Sequence, residues 1–261
     1  MNSALWVSKT GLSAMDKQLN VVANNLANVS TTAFKKDRAV FEDLMYKTVR
    51  APGGLSAQNA ELPSGLQLGT GVKVGATQKI FSDGDFNITD RKLDVAIQGK
   101  GFLQVVQPDG TMAYTRNGSL QLNSDGNLVT SNGLLIDPGI QIDGDVTEID
   151  IAQDGVVSVK KAGQTDMQQV GAINLAGFVN PTGLDSMGAN LYTETDASGP
   201  PIIGAPGTDS LGTLGQGMLE ASNVNSIEEL VNMITTQRAY EMNSKVIASA
   251  DGMMSFAIQQ L

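Results

Sequence analysis

Both ends of this chain carry apolar residues at seven-residue spacing, and nothing else in the sequence constrains the fold as strongly. Met233, Tyr240, Ile247, Met254 and Leu261 fall on one line of a helix, and no proline interrupts them. Leu5, Leu12, Leu19 and Leu26 form a second line, with Met15, Val22 and Val29 each three residues behind a leucine. Ile227, Leu230, Val231, Ile234, Val246 and Ile258 lie off the main line of the last helix. The spacing therefore predicts two amphipathic helices, first and last in the chain, around a middle of about two hundred residues that reads differently.

At 261 residues the chain is long enough for one large or two modest domains. Only 5% of it is aromatic against 41% hydrophobic, so the core is expected to rest mainly on aliphatic side chains, and 29 glycines point to many turns. With no cysteine and no histidine, disulfides, thiolate or imidazole metal sites and histidine-dependent catalysis are excluded. The net charge of −10 argues against nucleic acid, whose phosphates need a basic face. The acidity is uneven. Residues 1–50 hold seven Lys/Arg against four Asp/Glu, which leaves −13 for the remainder. Lys35, Lys36 and Arg38 cluster after the first helix and read either as a solvated turn or as a contact for an acidic body. No stretch approaches the roughly 18 uninterrupted apolar residues of a membrane span, so no lipid insertion is expected. The N-terminus also lacks a basic region followed by an apolar one, so the expectation is export, if any, by a route other than a cleaved signal peptide.

Along the chain, the first helix should end near Asn28–Ser30, where Asn24, Asn25 and Asn28 lower helix propensity and offer amides to free backbone groups. On physics alone, residues 23–32 read as a frayed C-terminus in a loop. Phe34–Val49 fits a short helix or an extended arm, and residues 51–71, rich in Pro and Gly, fit an irregular or hairpin segment. From Val72 the period becomes two. Strands are expected at 72–81, 95–97, 102–106, 113–115, 119–122, 128–129, 134–136, 149–151, 156–159, 170–179 and 191–193. Asp109-Gly110, Asn117-Gly118, Asp125-Gly126, Asn132-Gly133 and Asp154-Gly155 punctuate them as hairpin turns. Residues 198–217 read as a linker by composition, and Asn225 or Ser226 as the cap of the last helix, with Glu228 and Glu229 in its first turn. The expected fold is α+β: N- and C-terminal helices (1–33 and 223–261) forming a coiled-coil-like inner domain, an antiparallel β outer domain (72–199), and a connecting domain with an extended arm (34–71 and 200–222).

No stretch carries convincing catalytic or cofactor chemistry. Asp83-Gly84-Asp85 and Asp143-Gly144-Asp145 resemble fragments of calcium loops, but neither continues to a closing glutamate. Gly99-Lys100-Gly101 lacks the spacing of a phosphate loop and precedes a strand. The β region offers almost no Trp or Tyr for sugar stacking. No catalytic residue, metal or cofactor is expected.

The last helix, on the order of 50 Å long at about 1.5 Å per residue, exceeds what a small β domain can cover. Its excess apolar surface calls for copies of the same chain. If the partner patches differ, the contacts close into a ring or run on as a helical filament, giving a tube with helices inside and β domains outside. The inner contacts are expected at Leu5, Leu12, Met15, Leu19, Val22, Leu26, Leu230, Met233, Ile234, Tyr240, Ile247 and Met254.

Specific motifs add to this. Leu5-Trp6, Gly11-Leu12, the run from Val22 to Thr31 and Ala33-Phe34-Lys35 resemble the N-terminal motif of the bacterial flagellar rod and hook family. Asp94 to Phe102 and Tyr114-Thr115-Arg116-Asn117-Gly118 resemble its central segments. Ser222-Asn223-Val224-Asn225, Glu228 to Ile234 and Gln237 to Glu241 resemble its C-terminal one. The resemblance covers the whole chain and singles out Asn24, Asn25, Leu26, Asn28, Asn223 and Asn225 as motif residues. Within the family, the length and the stretch from Tyr46 to Gly71, with Leu62, Pro63 and Gly65, look like the members that build the distal part of the rod.

What the resemblance implies is a non-enzymatic axial subunit, exported through the flagellar type III channel and assembled in the periplasm-spanning rod of the basal body, where it transmits torque to the hook. Implied partners are further copies of the chain in a helical tube, proximal rod proteins, the hook protein, and the ring proteins of the peptidoglycan and outer-membrane layers. The arm would brace the tube laterally. A proximal rod or hook-type subunit is the near alternative. An extracellular calcium-binding β adhesin module is the distant one, and calcium-dependent thermal stability would distinguish it.

Overall fold

The computed structural model describes residues 3–51, 55–57, 60–61, 64–163 and 166–259. Leu261 of the C-terminal line, and Leu62 and Pro63 of the arm, lie outside the described residues. The architecture is α+β, with a helix at each end and a mostly antiparallel β region between. The chain forms two compact units. The first comprises Met1–Ala27, Asp37–Lys79 and Asn225–Leu261; the second comprises Asn28–Lys36 and Ile80–Val224.

In the first unit, helix α1 spans Ser3–Ala27 and packs along helix α2, Ser226–Gln259. α1 stops where the asparagines begin to compete for backbone groups. α2 starts at Asn225, whose Oδ1 accepts from the backbone N–H of Ile227 (3.0 Å) and Glu228 (3.3 Å), with Glu228 and Glu229 at the positive end of the helix dipole. The segment after Phe34 that was open between helix and arm is extended. Asp37–Asp43 pairs antiparallel with Val72–Lys79, and Lys79 closes on Asp37 at 3.0 Å. Beyond it, Lys47–Arg50 pairs with Leu66–Leu68 as a two-stranded hairpin. Gly71 permits the return: its φ is +122°, and a Cβ there would lie 2.0 Å from Thr10 Oγ1.

The second unit is built on a nine-stranded antiparallel sheet. Its main path runs Leu120–Leu122, Leu128–Thr130, Leu135–Ile136, Phe102–Val106, Met112–Thr115, Leu191–Thr193 and Asp185–Gly188. Leu175–Gly177 pairs with Phe102–Val106 and with Ile202–Gly204. Val146–Ile151, Val156–Lys161 and Gln168–Ala172 form a separate three-stranded sheet. The stretch whose composition suggested a linker carries two strands, Ile202–Gly204 and Thr213–Gln216, the latter paired with Val95–Gln98. Its glycines and prolines mark the turns, while Ile202, Ile203 and Leu214 supply strand residues between them.

Phe102–Val106 serves two cores through its alternation. Leu103 and Val105 join an aliphatic cluster with Ile97, Leu120, Leu128, Val157, Ile173 and Leu175. Phe102 points to the other face, where it meets Phe81, Phe178 and Tyr192 edge-on at centroid distances of 5.5–5.8 Å, and Tyr114 packs on Phe178 at 4.8 Å. Five of the twelve aromatic residues thus gather in one place, and the other buried cluster is aliphatic, as expected.

The hairpin-turn pairs are of two physical kinds. Gly110, Gly126, Gly133 and Gly155 have positive φ, as the turn chemistry requires. Gly118 does not. It is needed because a Cβ would fall 1.6 Å from the carbonyl oxygen of Val95, whose N–H bonds back to the Gly118 carbonyl at 2.9 Å. Gly133→Ala, with open space around it, is therefore expected to cost about 1–2 kcal/mol in left-handed strain. Gly118→Ala is expected to cost more, about 3 kcal/mol, because backbone must move. Urea denaturation of the two variants checks the ranking.

Candidate functional site

The two helices meet through a seam that is neither of the apolar lines. Asn25 Nδ2 lies 3.5 Å from Glu229 Oε2, and a Cβ on Gly11 would sit 3.3 Å from the Asn243 side chain. These two contacts set an antiparallel register that brings Gln18 level with Thr236, while Ala4 at the start of α1 is exposed. Ala4, Gly11, Gln18 and Asn25 are themselves seven apart, as are Glu229, Thr236, Asn243 and Ala250. On α2 this line is the covered one: Glu229, Thr236 and Ala250 are buried and Asn243 is half-buried. Small and polar residues let the helices approach closely.

The apolar lines flank this seam. Leu5, Leu12, Leu19 and Leu26 sit one residue, or about 100°, further round α1 and are half-buried, as is Met15; Val22 is buried. On α2, Met233 and Ile247 are half-buried, whereas Leu230 (46% exposed), Ile234 (50%), Tyr240 (40%) and Met254 (36%) face solvent. Ile227, Val231, Met242, Val246, Met253 and Phe256 are exposed as well. Within the chain the helices thus meet through a small, polar seam, and large apolar side chains remain uncovered on several faces of α2.

The motif asparagines have separate structural tasks. Asn25 is buried and forms a reciprocal pair with the Asp37 backbone, donating from Nδ2 to the carbonyl (2.9 Å) and accepting the N–H at Oδ1 (2.9 Å). It holds the last turn of α1, the first residue of the strand Asp37–Asp43 and the first turn of α2 in place. The end of α1 is therefore pinned and not frayed. Asn24 is exposed. Asn28 accepts from Thr31 Oγ1 at 3.1 Å in the second unit. Asn223 accepts the Lys36 N–H at 2.7 Å and donates to the carbonyls of Ile80 (2.8 Å) and Ser82 (3.2 Å). Asn225 caps α2. Gly65, in the arm, is half-buried and just precedes the strand Leu66–Leu68.

One cluster in the second unit escaped the reading of the residues. Lys35, whose charge run fits either a solvated turn or a contact for an acidic body, is fully buried. Its Nζ contacts Glu220 Oε1 at 2.5 Å and the Ser82 carbonyl at 2.6 Å. Arg116, 2% exposed, donates through Nε to Glu220 Oε2 (2.8 Å), through Nη1 to the Gly99 and Gly101 carbonyls, and through Nη2 to Asp83 (3.0 Å) and the Ile97 carbonyl. Glu220 also accepts the Gly84 N–H at 3.1 Å. Burial, reinforced by the Arg116 charge, pulls Lys35 below the ordinary lysine range despite Glu220. Burial alone would push Glu220 up, but Arg116 and Lys35 together outweigh it and hold the carboxyl below 4.5. The only sequence signal is position: Lys35 and Arg116 lie in segments that resemble the family's motifs, and Glu220 lies two residues before a third.

Charge divides cleanly between the units. The first holds nine Lys/Arg and nine Asp/Glu, and the second holds eight against eighteen, so the whole net charge of −10 lies in the second unit. The first unit combines neutrality with exposed apolar helix faces, which favours association.

The comparisons with known proteins fall on these same segments. Residues 5–35 match the family model described as flagella basal body rod protein, 96–159 the flagellar hook protein FlgE/F/G D1 domain, and 216–260 the flagellar basal body rod FlgEFG protein C-terminal region. The three matches contain Asn25 and Lys35, Arg116, and Glu220 with Asn223 and Asn225, respectively. The chain is 55% identical over 254 residues to the flagellar basal-body rod protein FlgG of Buchnera aphidicola subsp. Acyrthosiphon pisum, covering 97% of this chain and 98% of the relative. It is 44% identical over 257 residues to FlgG of Caulobacter vibrioides, covering 98% of each. Against the rod protein FlgF of that same bacterium the identity is 34% over 270 residues, covering 100% of this chain and 98% of the relative.

Asn25→Ala is expected to cost about 1–3 kcal/mol, since the Asp37 N–H and carbonyl lose their buried partner. Asn25→Asp, nearly isosteric, is expected to cost at least as much at neutral pH, because a carboxylate then faces the Asp37 carbonyl and Glu229. Its deficit should shrink on acidification, when the new carboxyl regains a proton. Urea denaturation at neutral and acidic pH checks both.

Proposed function

The chain belongs to the flagellar basal-body rod protein family, and from that premise we propose that it is the subunit of the distal rod, polymerising into a helical tube through its terminal helices. As a member it is a structural subunit of the rod, located in the flagellar basal body. Within Caulobacter vibrioides the identity to FlgG exceeds that to FlgF, 44% against 34%, which favours the distal reading over the proximal one.

The observation that carries the assembly reading is the exposure of Leu230, Ile234, Tyr240, Val246 and Phe256 on several faces of one helix whose own-chain seam is polar. A helix apolar on several sides needs several neighbours. Copies of the same chain supply them, with Leu5, Leu12, Met15, Leu19 and Leu26 contributing the flanking side of α1 and Met233, Ile247 and Met254 that of α2, while Val22 is already covered within the chain. The arm around Gly65, with exposed Val49, Leu66 and Leu68, braces one copy against the next. Proximal rod proteins, the hook protein and the ring proteins of the peptidoglycan and outer-membrane layers are the further partners, and the flagellar type III apparatus is the export route.

Leu230→Asp, Ile234→Asp and Val246→Asp test this, because each replaces a side chain that is exposed in the free chain. Their thermal unfolding should stay within about 0.5 kcal/mol of the parent. Polymerisation should fail, because an unpaired carboxylate buried between copies costs several kcal/mol. Normal tubes in electron micrographs of these variants would overturn the assembly role of the face.

A further inference from the structure

Glu220 has an unusual position in the second unit: it is one carboxylate between two cations that have no solvent to fall back on. Lys35 arrives on the segment 28–36, Arg116 follows the strand Met112–Thr115, and Glu220 ends the strand Met218–Glu220. The other charged group at the cluster is Asp83, 41% exposed, which reaches Arg116 but not Lys35 by any direct bond. With all four groups ionised the cluster is neutral. With Glu220 protonated it carries +1, and Arg116 stays charged at any accessible pH.

The same residues hold the segment 28–36 in the unit. The Ala33 N–H donates to the Glu220 carbonyl at 2.8 Å, the Lys36 N–H to Asn223, and the Asn223 N–H to the Phe34 carbonyl at 3.3 Å. The Ala221 N–H donates to the Asp85 carbonyl at 2.7 Å. Ala33 is buried with a φ of +57°, a left-handed conformation that an alanine keeps only while its surroundings impose it. The segment is therefore held by the cluster against its own backbone preference.

We propose that protonation of Glu220 is an acid-operated latch on the second unit, which releases residues 28–36 together with the closing strand Met218–Glu220 while the main sheet stays folded. The main sheet has its own aliphatic and aromatic cores, neither of which includes Lys35 or Glu220. The latch is independent of what the chain assembles with.

The direction with pH follows from the charges. Glu220 is more acidic in the folded unit than its ordinary value of 4.5, so its contribution is complete above that value and is lost as pH falls from there through the folded value. Lys35 is displaced from 10.5 and plays no part in the onset at acid pH.

Hydrogen exchange read by mass spectrometry on the dilute full-length chain tests the latch, with rates corrected for the intrinsic pH dependence. In the parent, peptides covering 28–36 and 218–224 should lose protection together below pH 4.5. The gain should be up to about tenfold per pH unit for one coupled proton, while the peptide over Phe102–Val106 stays protected. Glu220→Gln should show the open pattern at neutral pH. Lys35→Met, which removes one of the two cations holding the carboxyl acidic, should flatten the pH dependence of the 28–36 peptide. Protection of both peptides retained in the parent down to pH 3, or lost only together with Phe102–Val106, would overturn the proposal. The parent series decides this even if a variant does not fold.

Discussion

Lys35, Glu220 and Arg116 form the interaction on which the second unit depends. A Lys–Glu pair buried without exposure is not a generous source of stability, because both charges give up water to form it. Its effect is to make alternatives expensive: with either partner elsewhere, the other would be left as an uncompensated buried charge, at a cost of about 3–5 kcal/mol. Residues 185 apart in sequence are thereby required to come together, and the early segment 28–36 is incorporated into a unit otherwise made from Ile80–Val224.

The first unit solves the same problem of distant segments with amides. Asn25 satisfies both backbone groups of Asp37 and reaches Glu229, so one side chain ties two helix ends and a strand. A carboxamide is the residue for this task because it offers a donor and an acceptor at once without charge. Holding the helices by a narrow polar seam has a consequence for packing. The large side chains on either side of α2 are left uncovered by the chain itself. This unit is neutral while the other carries the whole −10, so exposed apolar surface and net charge are segregated within a single polypeptide.

Much of this was legible from the residues. The helices could be read because an apolar period of seven survives any partner, and the strands because period-two runs between Asn-Gly and Asp-Gly pairs have few other solutions. Phe102–Val106 and Leu191–Thr193 appear with the bounds that alternation suggests. Pairs of short strands in the stretch rich in Gly, Pro, Ser and Thr were missed because turn residues outnumber pairing residues there, although Leu214 is buried opposite Ile97. The solvated-turn alternative for Lys35 fails, and its partner Glu220 could not be named, because a charge run carries no record of a residue far along the chain.

The sequence by itself determined that the chain ends in amphipathic helices around an antiparallel β region, that cysteine and histidine chemistry is absent, and, through its motifs, the family. Only the tertiary structure decided which face of each helix meets its own chain. Ala4, Gly11, Gln18 and Asn25 repeat every seven residues just as Leu5, Leu12, Leu19 and Leu26 do. A period specifies that a seam exists but not its position around the axis; that position is set by Asn25 against Asp37 and Glu229, and by the closeness that Gly11 permits beside Asn243.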